Sequence, residues 1–278
     1  MFSTTRLNEK LLTRGALAFA LTFLACAPAT ADPCRQGVAQ SVQAVSVNGR
    51  LEVMLADGRL VRLAGLEATY PADADPARLV AARADLADWT LGAPLDLIGL
   101  QAGADRWGRS GGRLFLVGAD GLPSLTQALV EAGHSRVDPA GEARPCIAAL
   151  YDAEARARAA GRGIWADPAF AVLEASAPET FGARIGEVVL VQAVVASFGA
   201  SRGRTYLNLG AGGRGAPYLS LSRAQVQAFE RAGQSPAALV GRTIRVRGLL
   251  DMRPGPRIQI SGPDSLEVVQ IRQNFGPR

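Results

Sequence analysis

The chain reads as a mainly β protein of α+β type, built as two small β-barrels in tandem. Three observations predict this. Short apolar runs are separated by Asn-Gly and Asp-Gly turns. Helical patterns interrupt the strands only after the third and fifth of the first set and the third of the second. A stretch rich in Pro, Ala and Ser separates the two sets. The 278 residues are 48% apolar and 20% charged. That composition excludes a disordered chain, a collagen-like repeat and a disulfide-dense mini-protein, and the length suffices for two ordinary domains.

Residues 1–31 are expected to be a signal peptide. Arg6, Lys10 and Arg14 form a basic start, residues 15–25 are apolar but too few to cross a bilayer, and Ala29-Thr30-Ala31 is a cleavage pattern. The mature chain then starts at Asp32 and is exported, to the periplasm or beyond. No later run is long and apolar enough to span a membrane. Cleavage leaves two cysteines, Cys34 and Cys146. In an oxidising compartment they are expected to form a disulfide rather than stay as thiols.

The first domain is assigned to residues 32–167. Asn48-Gly49 separates strand-like residues 42–47 and 51–55, and Asp57-Gly58 leads to a third run at 60–63. Asp75-Pro76 supplies an N-cap and a first-turn proline for a helix over 77–90. Residues 95–100 and 113–117 read as further strands. A short helix over 125–132 stops at Gly133, and a longer one over 147–160 stops at Gly161. Five strands and about three helices in this order suit a small barrel of OB type better than a parallel sheet.

Residues 168–182 read as a linker, and 183–278 as a second OB-like barrel. Its candidate strands are 188–198, 204–209, 218–221, 243–250, 257–260 and 266–269. Ser222 caps a helix over 223–232, and Ser235-Pro236 begins one more helical turn. The glycine-rich run 210–215 lies between strands rather than ahead of a helix, which makes it a poor phosphate loop.

The net charge is +5, and every basic residue but Lys10 is arginine. Residues 32–177 hold 14 Arg against 18 acidic residues, and residues 178–278 hold 13 Arg against 6. The basic character therefore belongs to the C-terminal third. There Arg245 and Arg247 alternate with Ile244 and Val246 on one strand face, with Tyr206 and Tyr218 on neighbouring strands. A basic, aromatic barrel face can hold single-stranded nucleic acid; the alternative is an amphipathic strand whose arginines meet water.

Four stretches of the first domain resemble the thermonuclease (staphylococcal-nuclease-like) family. They are Asn48-Gly49-Arg50-Leu51-Glu52-Val53, then Val61-Arg62-Leu63-Ala64-Gly65-Leu66-Glu67-Ala68, then Asp105-Arg106-Trp107-Gly108-Arg109. The last is Glu154-Ala155-Arg156 followed by Gly161-Arg162-Gly163-Ile164-Trp165. The resemblance covers residues 42–167 and implies an SNase-like barrel that performs calcium-assisted phosphodiester hydrolysis. Arg62 and Arg109 match the family's two phosphate-holding arginines, and Arg106 falls where a phosphate-steering cation sits. Trp107 takes the family's tyrosine position, with packing its expected role.

The departures bear on catalysis. Arg50 stands in place of the first calcium-binding aspartate, and Glu67 replaces the second, the candidate metal ligand that the motif retains. Thr69 and Tyr70 stand where the family has Pro-Glu, so the general base is missing. Asp73 is a possible substitute ligand, and His134, the sole histidine, is expected at a helix end. Two functions stay open: a divergent nuclease using calcium or another divalent cation, or a catalytically inactive module that binds nucleic acid or protein.

Overall fold

Turn chemistry builds the first barrel. In the computed structural model, which describes residues 32–100, 103–118, 123–211 and 215–269, strand β1 (Ala39–Val47) turns at Asn48 into β2 (Val53–Leu55). The Asn48 carboxamide oxygen accepts from the Arg50 and Glu52 backbone N–H groups at 2.8 and 3.1 Å, and Leu51 takes φ +57°. β3 (Leu60–Leu63) follows the Asp57-Gly58 turn, then the short β4 (Leu66–Glu67), α1 (Pro76–Thr90), β5 (Pro94–Gly99) and β6 (Arg109–Leu116). Strands β1-β2-β3-β6-β5 close into a barrel, with β3 and β6 parallel. Inward residues such as Val53, Leu55, Val61, Leu63, Leu95 and Leu114 are almost wholly buried. Each contributes about 1.5–3 kcal/mol by leaving water.

Helix α2 (Leu125–Glu131) starts at the Ser124 cap, and β7 (Arg136–Val137) pairs with β4 outside the barrel. Helix α3 (Arg144–Ala159) begins three residues earlier than the apolar pattern indicates, because Pro145 is accommodated in its first turn. Gly133, after α2, and Gly163, after α3, meet backbone to backbone: Ile164 N–H donates to Gly133 O at 2.8 Å. A Cβ on Gly163 would lie 2.1 Å from that oxygen, so only glycine fits. Cys34 and Cys146 form the expected disulfide, tying the segment before β1 to the first turn of α3.

Residues 168–182, expected as a linker, are structured. A 3₁₀ turn (Pro168–Phe170) precedes β8 (Leu173–Glu174), and another (Pro178–Arg184) follows it. β8 pairs in parallel with β9 (Val188–Ser201). After β9 come β10 (Arg204–Leu209), β11 (Tyr218–Leu221), α4 (Arg223–Arg231), β12 (Thr243–Met252), β13 (Pro256–Gln259) and β14 (Leu266–Val268). The capping box Ser222/Gln225 starts α4. β12 pairs with both β13 and β9, which closes β9-β10-β11-β13-β12 into a second five-stranded barrel. It has its own apolar core, including Phe181, Leu207, Phe229 and Val246.

The two barrels meet along α3. Arg247 of β12 is buried and bonds both Glu154 oxygens of α3 at 3.0 and 2.8 Å, Glu267 at 2.7 Å and Val137 O at 2.9 Å. Its guanidinium lies 4.3 Å from the Tyr151 ring centroid, and Tyr151 donates its hydroxyl to Asp264 O. Arg144 pairs with Asp264 at 2.9 Å. Among the described residues no helix is long and apolar enough to cross a membrane. The signal-peptide expectation falls on residues outside the described ones, as does the centre of the glycine-rich run.

Candidate functional site

Alternation along β3 sets the first functional side chain. Val61 and Leu63 point inward, so Arg62 between them points out. Its register partner on β6 is Gly111, which has no side chain to obstruct the guanidinium. Arg109, at the start of β6, is placed by the Asp105–Arg109 turn. The Asp105 carboxylate accepts from the Trp107 and Arg109 backbone N–H groups at 2.9 Å, and its other oxygen accepts from Arg109 Nε at 2.9 Å. Glu52, buried after the Asn48 turn, takes Arg109 Nη1 at 3.0 Å and Asn48 Nδ2 at 2.8 Å.

These residues line a cleft of ≈ 650 Å³ between the barrels. Arg50, Arg62 and Arg109 stand on its first-barrel wall with Glu52, Glu67 and Asp138; Leu249, Gln259 and Ser261 come from the second barrel. Arg62 pairs with Asp138 at 2.9 Å, yet 46% of its side chain remains exposed. Asp138, placed in the cleft by the β4–β7 pairing, carries no sequence signal as an Arg62 partner. Arg136 and Glu52 likewise carry no local signal, since their partners lie 69 and 57 residues away.

Trp107 does not pack in the interior. It is 60% exposed at the turn tip, with the Arg106 and Arg109 guanidinium carbons 3.8 and 4.7 Å from its ring centroid. The turn thus carries an exposed ring with two guanidinium groups stacked over it, one of them from the cleft residue Arg109.

Glu67 lies on the cleft wall but is almost wholly buried, 3.2 Å from Arg136 Nε. Burial raises its carboxyl to about 7, against the opposing pull of the Arg136 and Arg247 charges. Tyr70, at the family's general-base position, donates its hydroxyl to His134 O, and its burial pushes the phenol up. Asp73 is bound by Arg184, and Asp75 caps α1 by accepting from Ala77 N–H at 2.9 Å. His134 lies just past the end of α2, as expected, and is half-buried with Nε2 2.6 Å from Asp85. These residues do not fit a calcium site. Arg50 puts a cation at one ligand position, Glu67 is committed to Arg136, and no three His, Cys, Asp or Glu side chains converge among the described residues.

The strand face carrying Arg245 and Arg247 is not the open basic surface expected from its alternation. It faces α3. Arg247 is buried, and burial, which alone lowers its pKa, is outweighed by Glu154, so the cation is held firmly. Arg245 is half-buried and donates to Gln192 Oε1 at 2.9 Å. For Arg158 of α3, burial first and then the Arg245 charge push the pKa down. Arg247 therefore offers no free cation to a partner, while half-buried Arg245 has no carboxylate partner among the described residues. No protein-family model matches the chain, and neither does any curated protein.

Proposed function

We propose that this chain is an exported, thermonuclease-like protein that binds nucleic acid through a phosphodiester held in the cleft between its barrels. The observation that carries the reading is the Arg50–Arg62–Arg109 wall beside an exposed Trp107 flanked by Arg106. Cations beside an aromatic ring are elements that nucleic-acid grooves combine. Here Arg50 and Arg62 are the exposed cations, while Arg109 is held by Glu52 and Asp105 and the Trp107 ring carries the Arg106 and Arg109 guanidinium groups. The four family-like stretches support the same reading, because they place Arg62 and Arg109 on adjacent parallel strands of a closed five-stranded barrel. The Cys34–Cys146 disulfide supports export, since such bonds persist in oxidising compartments.

In this reading hydrolysis is weak or absent. The acidic ligand set does not fit calcium, and the general-base position carries a tyrosine whose hydroxyl is engaged. Loss of a positioned acid–base group alone costs about 10²–10⁴ in rate. One feature favours residual catalysis: Glu67 lies on the cleft wall, and burial raises its carboxyl to about 7 despite the Arg136 pair.

The test is binding of labelled single- and double-stranded DNA and RNA in a chelator, followed by incubation with calcium, magnesium and manganese. Salt-sensitive binding without strand cleavage supports the proposal. Metal-dependent cleavage lost in Arg62→Ala supports the nuclease reading instead. Absence of binding in low salt overturns both.

A further inference from the structure

The second barrel carries a groove of ≈ 400 Å³ away from the inter-barrel cleft, lined by Arg204, Tyr206, Asn208, Tyr218, Arg253 and Arg257. Arg204, Tyr206 and Asn208 alternate outward along β10 while Leu207 and Leu209 fill the core. Register pairs Tyr206 with Ser220 and Asn208 with Tyr218, so the two tyrosines stand on adjacent strands of one face. Their ring centroids are 6.1 Å apart at 48°, and both side chains are partly exposed.

The charges around the rings are complementary to a polyanion. Asp251 is neutralised by Arg257. Arg204 bonds Ser220 through Nε at 2.6 Å, and among the described residues no carboxylate pairs with Arg204 or Arg253. Arg253 is exposed, and its carbonyl accepts from the Tyr218 hydroxyl, which steadies that ring. One face of β13 runs between the groove and the cleft. Gln259 on the cleft wall and Arg257 on the groove wall are two residues apart on one face of β13, and both bond Asp251.

We propose that a single strand of nucleic acid runs from the cleft along β13 and stacks bases on Tyr206 and Tyr218, with Arg204 and Arg253 on its phosphates. Paired bases in a duplex cannot offer their faces to these rings, so the groove selects single strands. The polymer class rests on the cleft reading; the groove is a separate surface with its own test.

The experiment measures fluorescence anisotropy of labelled oligothymidylate, about 12 nucleotides to match the site size of one such barrel. A base-free abasic oligomer of equal length runs in parallel. The full mature chain is expected to prefer oligothymidylate. Tyr206→Ala and Tyr218→Ala should each weaken that binding at least about fivefold, leaving abasic binding unchanged. Tyr218→Phe should retain it, because the ring is kept. Arg204→Ala with Arg253→Ala should lower the slope of log K against log salt by about 1 to 1.5. Equal affinity of the tyrosine variants and the parent chain overturns the proposal. So does an equal loss in Tyr218→Phe and Tyr218→Ala. Arg62→Ala separates the two sites. If it abolishes abasic binding while the tyrosine variants change nothing, the cleft reading stands and the groove falls. If Arg62→Ala changes nothing while the tyrosine variants lose oligothymidylate, the groove stands and the cleft reading falls.

Discussion

Arg247→Met removes the cation at the centre of the barrel–barrel contact while keeping an unbranched apolar side chain of similar length. In the native protein Arg247 is 5% exposed and Glu154 1%, and the two share a bidentate pair with Glu267 and Val137 O completing the guanidinium's partners. Without Arg247 the Glu154 carboxylate is buried with no strong counter-charge; its nearest remaining cation, Arg158, sits 3.8 Å away. Breaking a buried pair on one side costs about 3–5 kcal/mol. For a chain of this size that is roughly a 6–20 °C fall in Tm.

A pH signature accompanies the loss. In the native protein burial pushes the Glu154 carboxyl up, but Arg247 and the Val137 N–H hold it below the usual 4.5. Its contribution is therefore present above 4.5 and lost as pH falls through the lower folded value. In Arg247→Met burial prevails, the carboxyl rises, and the variant should gain stability as pH falls from about 8 towards 5. Adding Glu154→Gln removes the stranded charge while its amide oxygen still accepts from Val137 N–H, and should recover at least half of the loss. Urea unfolding with the disulfide intact measures all three proteins. A loss under about 1 kcal/mol, or no recovery in the double variant, would refute Arg247 as the buried clamp.

Asp138→Asn frees Arg62 from its half-exposed ion pair, worth up to about 1 kcal/mol. Phosphodiester affinity should therefore rise about two- to fivefold in anisotropy titrations, and weaker binding would show that Asp138 orients the guanidinium instead. Glu67, raised to about 7 by burial, loses its charge as pH falls. Nucleic-acid affinity should rise between pH 8 and pH 6, roughly in step with its protonation. Glu67→Gln should flatten that profile, and an unchanged profile would place the titrating group elsewhere. Serine at both Cys34 and Cys146 opens a loop spanning 112 residues of sequence. The resulting loss, about 4–5 kcal/mol in the chain-entropy picture, should appear in urea unfolding and match that of the reduced parent chain.

Local chemistry made most of the fold legible. Asn48, Asp57, Asp75, Ser124 and Ser222 act within a few residues of themselves, so their turns and caps can be read directly from the sequence. Long-range pairing could not be read that way. β4 and β7 are two residues each, too short for a periodic pattern, and they meet only because the chain after α2 returns beside β4. β8 carries no strand signal, because Leu173 and Glu174 are only two residues in a stretch bounded by prolines.

The site divides along the same line. Arg62 and Arg109 were recognisable from the residues around them, and the alternation of Arg245 and Arg247 did place them on one face. Which way that face looks depends on α3, a different domain's helix, and there Glu154 buries Arg247. Arg204 and Arg253, two exposed arginines of the second barrel, stand instead beside Tyr206 and Tyr218, where strand register assembles a groove from β10, β11 and the loop after β12.

Binding of a labelled oligonucleotide to residues 32–278 in a chelator, compared between the parent protein and Arg62→Ala, tests the central claim most directly. Arg62 is the cleaner probe, because removing Arg109 would also strand the buried Glu52. The account predicts salt-sensitive binding without added metal, and about tenfold or greater weakening in Arg62→Ala with thermal stability unchanged, as expected for loss of a charged phosphate contact. Unaltered affinity in Arg62→Ala, or binding that appears only when a divalent cation is supplied, would contradict it.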